Sequence, residues 1–388
     1  MASEKDLSVS ITAIDSVSAL GTGSNCWGSF SSENHLLKQT KIGRESVWSG
    51  NIPEKLIDEI LQLKHENSNY GKLDLSVLQA IWICRQLVDQ AGWGSKNVFG
   101  TNIGSSRGAT ALFEKYYKDF LDHSRVSSLA SPTTTLGNIS SWVAQDLGSA
   151  GPELSHSITC STSLHALLNG IAWLEAGFSS KFLVGGSESP LTPFTIAQMQ
   201  ALKIYSSYGD SYPCKALDLK KQKNSMVLGE GAAMACLEKG EKENALAIIR
   251  GIGYATEKLA HPASFSTHGD CLQRSMAMAC KGVDLGEVDI VVMHAPGTKK
   301  GDQSEYRAIE RVFGSRIPAL TTNKWKIGHT LGSSGMINLQ MAVLMLQKQE
   351  FVGVPFVAQM NAPKEIENIL VNAVGFGGNA VSVLVKRN

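Results

Sequence analysis

The residue with the clearest chemical potential is Cys160, which lies between an alternating, strand-like run and an apolar helical pattern. The run predicts a strand over residues 155–159, and the apolar periodicity predicts a helix from Leu164 to about Gly177. A cysteine at the start of a helix lies near the positive end of the helix dipole, which favours the nucleophilic thiolate. Cys160 is therefore a candidate nucleophile, although free cysteines are more often small buried core residues.

Three further segments carry reactive side chains or break the backbone where predicted strands end. His294 ends a buried strand, His329 follows a glycine at a predicted helix start, and Phe376 stands in a glycine-rich turn between the last two strands. In open α/β sheets, sites gather at the ends of strands, which links these positions to Cys160. A single histidine would not distinguish such a site from an ordinary polar position.

The elements that must position these residues alternate between strands and helices along the chain. This alternation predicts a mostly parallel sheet with helical crossovers. The second half repeats the order of the first without a residue-level repeat, so we predict a duplicated α/β unit. Residues 38–69 are polar and irregular in pattern, and we expect them to form a surface region rich in loops.

Composition sets only broad limits on function. Lys and Arg number 36 against 35 Asp and Glu, so net charge gives no reason to expect nucleic acid or an anionic membrane surface as a partner. The seven cysteines are scattered and lack a C-x-x-C pair, which indicates reduced thiols rather than disulfides or a zinc site. No apolar run of about 18 residues and no signal-like N-terminus occur, so we expect a cytoplasmic protein without a membrane span.

Five motifs together resemble the β-ketoacyl-acyl carrier protein synthases of the thiolase superfamily, specifically the elongating type with a Cys-His-His site. The family motifs ACxTxxHA and TKxxxGHxxGAAG resemble TCSTSLHA at 159–166 and NKWKIGHTLGSSG at 323–335. The shorter motifs GGxExP, GEGA and GFGG have counterparts at 185–190, 229–232 and 375–378. These motifs occur in the family's order and span nearly the whole chain.

The histidine loop departs from the family pattern HGTSTxxGDxxE, since residues 294–305 read HAPGTKKGDQSE. Aligning the loop on His294 keeps all downstream spacings without a gap. Of the two threonines that hydrogen-bond the phosphopantetheine arm in the family, the first is then replaced by Pro296 and the second is Thr298. Proline has neither a hydroxyl nor an N–H group, so binding of the arm must differ in this chain.

The resemblance implies a thiolase-like fold with five layers, α-β-α-β-α, in one compact unit. Residues 1–240 would form an N-terminal half with the nucleophile, and residues 241–388 a C-terminal half with both histidines and the glycine loop. The implied site residues fall into four roles: catalytic Cys160, His294, His329 and Lys324, an oxyanion hole from the N–H groups of Cys160 and Phe376, substrate contacts from Thr298, Phe376 and Phe113, and support from Glu305 and Asp302.

Two of these residues come with a specific expectation. Lys324 is expected to form a buried pair with Glu305 that fixes the histidine loop. Phe113 matches the position where the family places the floor of the acyl tunnel, near the dimer interface, although a plain core aromatic would explain it equally well.

The implied activity is a decarboxylative Claisen condensation of malonyl-ACP with an acyl chain held as a thioester on Cys160, in fatty acid or polyketide- and polyene-type biosynthesis. No metal and no cofactor of its own are expected, because phosphopantetheine arrives on the carrier protein. The expected partners are acyl- and malonyl-loaded carrier protein and a second ketosynthase-fold subunit, in a homodimer or heterodimer. Five lysines could dock the acidic carrier protein, namely Lys299, Lys300, Lys220, Lys221 and Lys223.

Three other interpretations share parts of this pattern. Pro296 leaves open a non-condensing subunit similar to the chain-length factors of ketosynthase heterodimers, although such subunits have usually lost the nucleophile. A thiolase would need a cysteine near its C-terminus, whereas the last cysteine of this chain is Cys280. An initiating synthase with a Cys-His-Asn site would carry asparagine where this chain has His329.

Overall fold

The structure is a computed structural model, which describes residues 7–23, 26–94, 98–136, 138–209, 211–258, 266–358 and 362–388. The strands, in chain order, are β1 (Val9–Ser18), β2 (Lys38–Ile42), β3 (Glu45–Gly50), β4 (Gly100–Gly104), β5 (Glu153–Leu154), β6 (Lys181–Glu188), β7 (Leu228–Gly229), β8 (Gly231–Lys239), β9 (Ala247–Thr256), β10 (Ile290–Val292), β11 (Ala319–Thr321), β12 (Asn368–Val374) and β13 (Asn379–Lys386). The helices are α1 (Cys26–Ser31), α2 (Glu54–Glu66), α3 (Leu75–Gln90), α4 (Thr110–His123), α5 (Ala130–Thr134), α6 (Asn138–Leu147), α7 (Thr162–Glu175), α8 (Pro193–Ala201), α9 (Asp270–Ala279), α10 (Lys299–Phe313), α11 (Lys324–Ile327) and α12 (Ser334–Lys348).

Two five-stranded sheets share one topology. The first has the order β1-β8-β6-β4-β5, and the second has the order β9-β13-β12-β10-β11. When the strands of each sheet are numbered along the chain, both orders read 1-5-4-2-3. In both sheets the first two strand pairs are antiparallel and the last two are parallel. The predicted duplication is therefore confirmed as a repeat of topology.

The layers follow from which side chains of each strand are apolar. In β12, Ile369 and Val371 pack into one hydrophobic cluster with α7 and α12, whereas Leu370 packs on the other side with α9 and α10. In β8, Ala235 faces α7 and α12, whereas Met234 faces α3 and α6. A sheet that is apolar on both faces needs helices on both sides. The result is the expected five-layered arrangement, with α7 and α12 in the middle layer.

Two local predictions from the sequence are wrong. Residues 38–69 are not loop-rich, because they form the β2–β3 hairpin and helix α2. Residues 155–159 do not form a strand, because their polar groups bond to the end of β4 instead of a strand ladder: Ser155 Oγ donates to Ile103 O (2.9 Å), and Ser105 N donates to His156 O (3.2 Å). The helix predicted after Cys160 is confirmed to within two residues at each end.

The two sheets also contact each other through the chain that connects them. Leu246, just before β9, donates its backbone N–H to Ile11 O in β1 at 2.8 Å. Within the described ranges, the structure contains no helix that has both the length and the apolar character needed to cross a membrane.

Candidate active site

Cys160, His294 and His329 lie together although they come from three separate segments of the chain. The Sγ atom of Cys160, one ring nitrogen of His294 and one ring nitrogen of His329 all lie within 4.8 Å of one another. The imidazole rings are 5.1 Å apart between centroids, with an interplanar angle of 79°. All three side chains are buried, and they line one cavity of about 190 Å³. A thiol and two imidazoles in this arrangement offer a nucleophile beside two hydrogen-bonding rings.

Within two positions of each of these three residues, the chain contains a non-glycine residue in the left-handed backbone conformation. The φ angles are 47° at Thr159, 32° at Ala295 and 46° at Leu331. Non-glycine residues rarely adopt this conformation, and it persists only where the surrounding structure enforces it. At the first of these turns, Thr162 Oγ1 accepts a hydrogen bond from Ile158 N (2.9 Å) and donates one to Thr159 O (2.6 Å). The first residue of α7 therefore holds the turn that presents the cysteine.

The hydrogen bonds of His329 fix its tautomer. Leu331 N donates to His329 Nδ1 at 3.2 Å, so Nδ1 must carry a lone pair. Burial, and then the charge of Lys324, holds the pKa of His329 well below its usual value, so the ring is neutral and its proton sits on Nε2. Nε2 is buried and has no partner among the described residues. His329 thus carries an N–H donor that no described protein group uses.

Glu305 holds the loop that carries His294. Its carboxylate accepts hydrogen bonds from His294 N (2.8 Å), Ala295 N (2.8 Å) and Asn372 Nδ2 (3.2 Å). Burial, followed by the charges of Lys324 and His329, keeps the pKa of His294 well below its usual value. The second ring of the site is therefore neutral as well.

Lys324 is fully buried, but it is not hydrogen-bonded to Glu305 in the way the sequence suggested. Its Nζ has no hydrogen-bond partner among the described residues. Both carboxylate oxygens of Glu305 are instead occupied by the backbone of the histidine loop. Burial lowers the pKa of Lys324, and the negative charge of Glu305 partly restores it. The pair is therefore coupled through electrostatics without a direct hydrogen bond.

The ionisation of Cys160 differs from the expectation for a cysteine near a helix start. Burial raises the pKa of the thiol to about 12, although the positive charges of Lys324 and Arg107 oppose this rise. Glu188 adds to the rise. The cysteine lies two residues before α7, and the partial charge of a helix end does not offset complete burial. The resting form is the thiol.

The glycine-rich turn between β12 and β13 forms one wall of the cavity. Gly375 and Phe376 both line it. A Cβ atom on Gly375 would overlap Thr159 Oγ1, so this position has room only for glycine. The turn therefore packs directly on the segment that carries the cysteine.

A second part of the cavity wall comes from the histidine loop and the start of α10. Pro296, Thr298 and Lys300 all line the cavity. Thr298 Oγ1 accepts a hydrogen bond from Gly301 N (3.1 Å), which makes it the N-cap of α10 and leaves its hydroxyl proton for another acceptor. Lys300 is exposed and carries its charge at the rim.

Asp302 holds the histidine loop in place through a buried carboxylate. Its carboxylate forms a buried ion pair with Lys221 Nζ (2.6 Å) and accepts hydrogen bonds from Leu217 N (2.9 Å) and Gly297 N (3.0 Å). The suggestion that Lys221 docks a carrier protein is wrong, because its side chain is only 1% exposed and is held in this pair. Asp302 instead ties two loops together.

Phe113 does not line this cavity in the described part of the chain. It lies on α4 with 59% of its surface exposed, stacked on Tyr117 at 6.5 Å between ring centroids. The side chain faces outward in the single chain, so its role in an acyl tunnel stays a prediction that depends on a second subunit.

The sequence pattern missed two groups beside the cysteine. Glu188 is fully buried, and its Oε1 accepts hydrogen bonds from Gly332 N (3.1 Å) and Ser106 N. Burial raises its pKa to about 7. Arg107 donates to Gln198 Oε1. The GGxExP motif contains Glu188 and could have indicated it, whereas no local signal marks Arg107.

A third unforeseen group is Lys326, two residues after Lys324. Its buried Nζ donates to the carbonyl oxygens of Ser29 (2.6 Å), Phe30 (2.8 Å) and Ser32 at the end of α1. A cation at this position satisfies carbonyl groups that lack partners within the helix. Lys326 therefore anchors the segment before His329 to the N-terminal half.

Residues 14–243 match the family model described as "Beta-ketoacyl synthase, N-terminal domain", and residues 246–355 match "Beta-ketoacyl synthase, C-terminal domain". The chain is 27% identical over 345 residues to 3-oxoacyl-[acyl-carrier-protein] synthase 2 of Vibrio cholerae, across 81% of this chain and 83% of that protein. It is 26% identical over 282 residues to Nodulation protein E of Rhizobium meliloti, across 71% and 69%.

Solved structures share the fold along the whole chain. A ketosynthase of a type II polyketide synthase, solved with its acyl-carrier protein and bound to the hexaketide, matches with a TM-score of 0.85 and 19% identity, covering 99% of this chain and 100% of that one. The ishigamide ketosynthase/chain length factor matches with a TM-score of 0.84, 16% identity and the same coverage. Because the two family models together span most of its length, this chain belongs to the beta-ketoacyl synthase family of condensing acyltransferases.

Proposed function

We propose that this protein is a β-ketoacyl-acyl carrier protein synthase that condenses malonyl-ACP with an acyl group held as a thioester on Cys160, in fatty acid or polyketide-type biosynthesis. The observation that supports this most directly is the meeting of Cys160, His294 and His329 at one cavity. The proposal needs no resident cofactor, because the phosphopantetheine arm arrives on the carrier protein.

In the first stage, Cys160 accepts the acyl group. Its sulfur bonds to the thioester carbon, the bond from that carbon to the carrier sulfur breaks, and the thiol proton ends on the released carrier thiol. The developing oxyanion is stabilised by the backbone N–H groups of Cys160 and Phe376, which contribute most when they are already oriented. Because burial raises the pKa of the thiol, this stage depends on the nearby positive charge of Lys324.

In the second stage, malonyl thioester enters and loses carbon dioxide. His294 and His329 donate N–H groups to the thioester carbonyl oxygen as the carbon–carbon bond to the carboxylate breaks and the enolate forms. Neutral rings suit this role, and the low pKa of both histidines keeps them neutral. The enolate carbon then attacks the acyl thioester carbon, the bond from that carbon to the sulfur of Cys160 breaks, and the departing thiolate takes a proton from solvent.

We assign the binding of the pantetheine arm of both substrates to the part of the cavity wall that contains Thr298. Its hydroxyl proton is available to the pantetheine arm, whereas Pro296 supplies no donor. The exposed charges of Lys299 and Lys300 at the start of α10 suit an acidic carrier protein. The ketosynthase of the matching polyketide complex is bound to its own acyl-carrier protein.

A second subunit of the ketosynthase fold completes the proposal, in a homodimer or a heterodimer. Helix α4 and the chain after it expose several large apolar side chains: Phe113, Tyr117, Phe120, Leu121, Val126 and Leu136. An apolar surface of this kind is typical of an interface. A chain-length-factor-like role is the second candidate, favoured by Pro296 in the cavity wall, and two of the matching structures are ketosynthases with chain length factors.

The test is intact-mass analysis after incubation with acyl-ACP of several chain lengths, followed by malonyl-ACP. The expected result is a mass gain equal to the acyl group that is absent in Cys160→Ala and is discharged as a β-ketoacyl product when malonyl-ACP is added. Absence of acylation by every chain length would refute the self-sufficient enzyme. Product formation only after a second ketosynthase-fold subunit with its own cysteine is added, and retained in Cys160→Ala, would support the chain-length-factor role.

A further inference from the structure

Arg107 is a charged side chain near Cys160 that neither stage of the condensation uses. It follows β4 in a segment that is tied to the site, because Ser106 N donates to Glu188 Oε1, which also accepts a hydrogen bond from Gly332 N (3.1 Å). A guanidinium group stays protonated in proteins. Its positive charge opposes the rise that burial causes in the pKa of both Cys160 and Glu188, so Arg107 acts on the groups of the site.

The hydrogen-bond donors of this guanidinium are only partly used. Nη2 donates to Gln198 Oε1, a neutral amide oxygen on α8. Nε is buried and has no partner among the described residues. Buried N–H groups normally find an acceptor, and an unpaired donor costs free energy that a ligand with an acceptor atom can recover. Arg107 therefore offers an N–H donor to a group outside the described protein.

Helix α8 connects this donor to the cysteine. Ile196 and Met199, which flank Gln198 in the sequence, belong to one apolar cluster with Cys160. The guanidinium is therefore held against the helix that packs beside the sulfur. In the described part of the chain, neither Arg107 nor these α8 residues line the cavity that holds the two histidines. The sulfur thus has the cavity on one side and, on another, an apolar region next to Arg107.

The two stages of the proposed reaction decide where the acyl chain lies. The cavity of about 190 Å³ receives the pantetheine arm of the acyl carrier first and that of the malonyl carrier second. The chain on Cys160 must leave the cavity free in the second stage, so it extends into the apolar region instead. Ile196 and Met199 suit its first methylene groups, and the flexible methionine side chain can rearrange to admit them. A chain of several carbons then reaches Arg107.

We infer that Arg107 is a specificity-determining residue, which favours acyl chains that carry a hydrogen-bond-accepting oxygen over hydrocarbon chains of the same length. The inference rests on the proposed function. The oxygen accepts the Nε–H of Arg107, and no covalent bond forms or breaks in this contact. A hydrocarbon chain covers the same donor and leaves it unpaired. Sites that hydrogen-bond a substrate oxygen reject the analogue without it by a large factor for this reason.

The first test follows acylation of Cys160 by intact mass with hexanoyl-ACP, its 4-oxo and 5-oxo derivatives, and adipoyl-ACP. The oxo chains carry a neutral carbonyl oxygen and the adipoyl chain an anionic carboxylate, so these arms distinguish the two kinds of acceptor. At least one oxygen-bearing chain should react at least about tenfold faster than hexanoyl with the wild type, since it gains a hydrogen bond to a charged group. In Arg107→Met this preference should disappear.

Arg250→Met is the matched control for the loss of an arginine. Arg250 pairs with Glu287 (3.0 Å) and does not line the cavity, so this variant should keep the wild-type preference. Each preference is a ratio of rates measured on one preparation, and a smaller folded fraction in a variant therefore cancels. Equal rates for all four chains in the wild type, or an unchanged preference in Arg107→Met, would overturn the inference.

The second test uses only the full-length wild type and analogues that cannot transfer their acyl group. Hexanoyl-, 4-oxohexanoyl- and 5-oxohexanoyl-pantetheine are made with NH in place of the thioester sulfur, and their dissociation constants are measured by calorimetry. At least one oxo compound should bind at least about tenfold more tightly than the hexanoyl compound, and equal constants would contradict the role of Arg107. A binding preference without acylation by any chain would refute the condensing enzyme and support this role, whereas equal acylation by all chains with equal binding would do the reverse.

Discussion

The reactivity of Cys160 with pH tests the electrostatics of the whole site. Burial raises the pKa of this thiol from 9.0 to about 12, a difference of 3 units, so the thiolate fraction near pH 7.5 is about a thousandfold below that of a free cysteine. A thiolate of higher pKa is intrinsically more nucleophilic, which recovers a factor of roughly 20–30 at a Brønsted coefficient of about 0.4–0.5. Alkylation of Cys160 should therefore be slower than that of a free cysteine by roughly 30- to 50-fold at pH 7.5.

The assay is the rate of iodoacetamide labelling at Cys160, followed by peptide mass spectrometry from pH 7 to 9.5. The rate should rise about tenfold per pH unit without a plateau, because the thiolate fraction grows throughout this range. Lys324→Met should label more slowly at each pH, since the charge that opposes the raised pKa is lost. Lys300→Met is the matched control, because it also lines the cavity but leaves the buried charge in place, and it should follow the wild type. A plateau below pH 8 would refute the reasoning and show a thiolate stabilised at neutral pH.

Three further substitutions have defined outcomes. Gly375→Ala should abolish acylation while the circular dichroism spectrum is retained, because the added methyl overlaps Thr159 Oγ1, and wild-type acylation rates would contradict this. Lys221→Met should lower the free energy of unfolding by about 3–5 kcal/mol in urea titrations, because it leaves the carboxylate of Asp302 buried without its partner; a loss below 1 kcal/mol would argue against it. The pKa of Glu188 is raised from 4.5 to about 7, so its contribution to stability is present below pH 4.5 and is lost as the pH rises through 7. Between pH 5 and 8, the free energy of unfolding of the wild type should fall by roughly 2–3 kcal/mol more than that of Glu188→Gln. Equal decreases in the two proteins would refute this.

The residues that meet at the cavity could be located from sequence because each lies where the backbone changes direction. His294 precedes proline and glycine, and His329 follows glycine, so both positions are visible in a local pattern. The alternation of strands and helices likewise predicts a duplicated α/β unit. The strand order 1-5-4-2-3 in both sheets depends on pairings between distant segments, such as β1 with β8, which no local pattern contains.

Burial and long-range partners explain what the sequence could not predict. Lys221 and Lys326 look like surface lysines in a run of polar residues, but their partners lie 81 and about 300 positions away in the chain. The ionisation of Cys160 is hidden from the sequence for the same reason, because its position before a helix is a local feature, whereas its desolvation depends on the packing of distant elements.

Within the part of the chain that the structure describes, three buried lysines show which unfavourable interactions the fold removes and which it keeps. Lys221 is paired with a carboxylate, and Lys326 is satisfied by three carbonyl oxygens. Lys324 alone has no hydrogen-bond partner among the described residues, and it lies beside the unpartnered ring nitrogens of His294 and His329. Buried polar atoms normally find partners, and exceptions concentrated in one place indicate a site where stability is given up for function.

This contrast leads to opposite expectations for two similar substitutions. Lys324→Met should raise the free energy of unfolding at pH 7 by about 1–3 kcal/mol, because a methionine fills the same space without a buried charge. This increase in the free energy of unfolding agrees with the lowered pKa of Lys324. A lysine whose pKa is depressed in the folded state destabilises the fold when it is protonated and ceases to do so at higher pH. The gain should therefore shrink between pH 7 and 10 in urea titrations, while condensation activity falls. A Lys324→Met protein that is less stable than the wild type at pH 7 would show that this lysine holds the fold together, as Lys221 does, and that its charge is not reserved for the site.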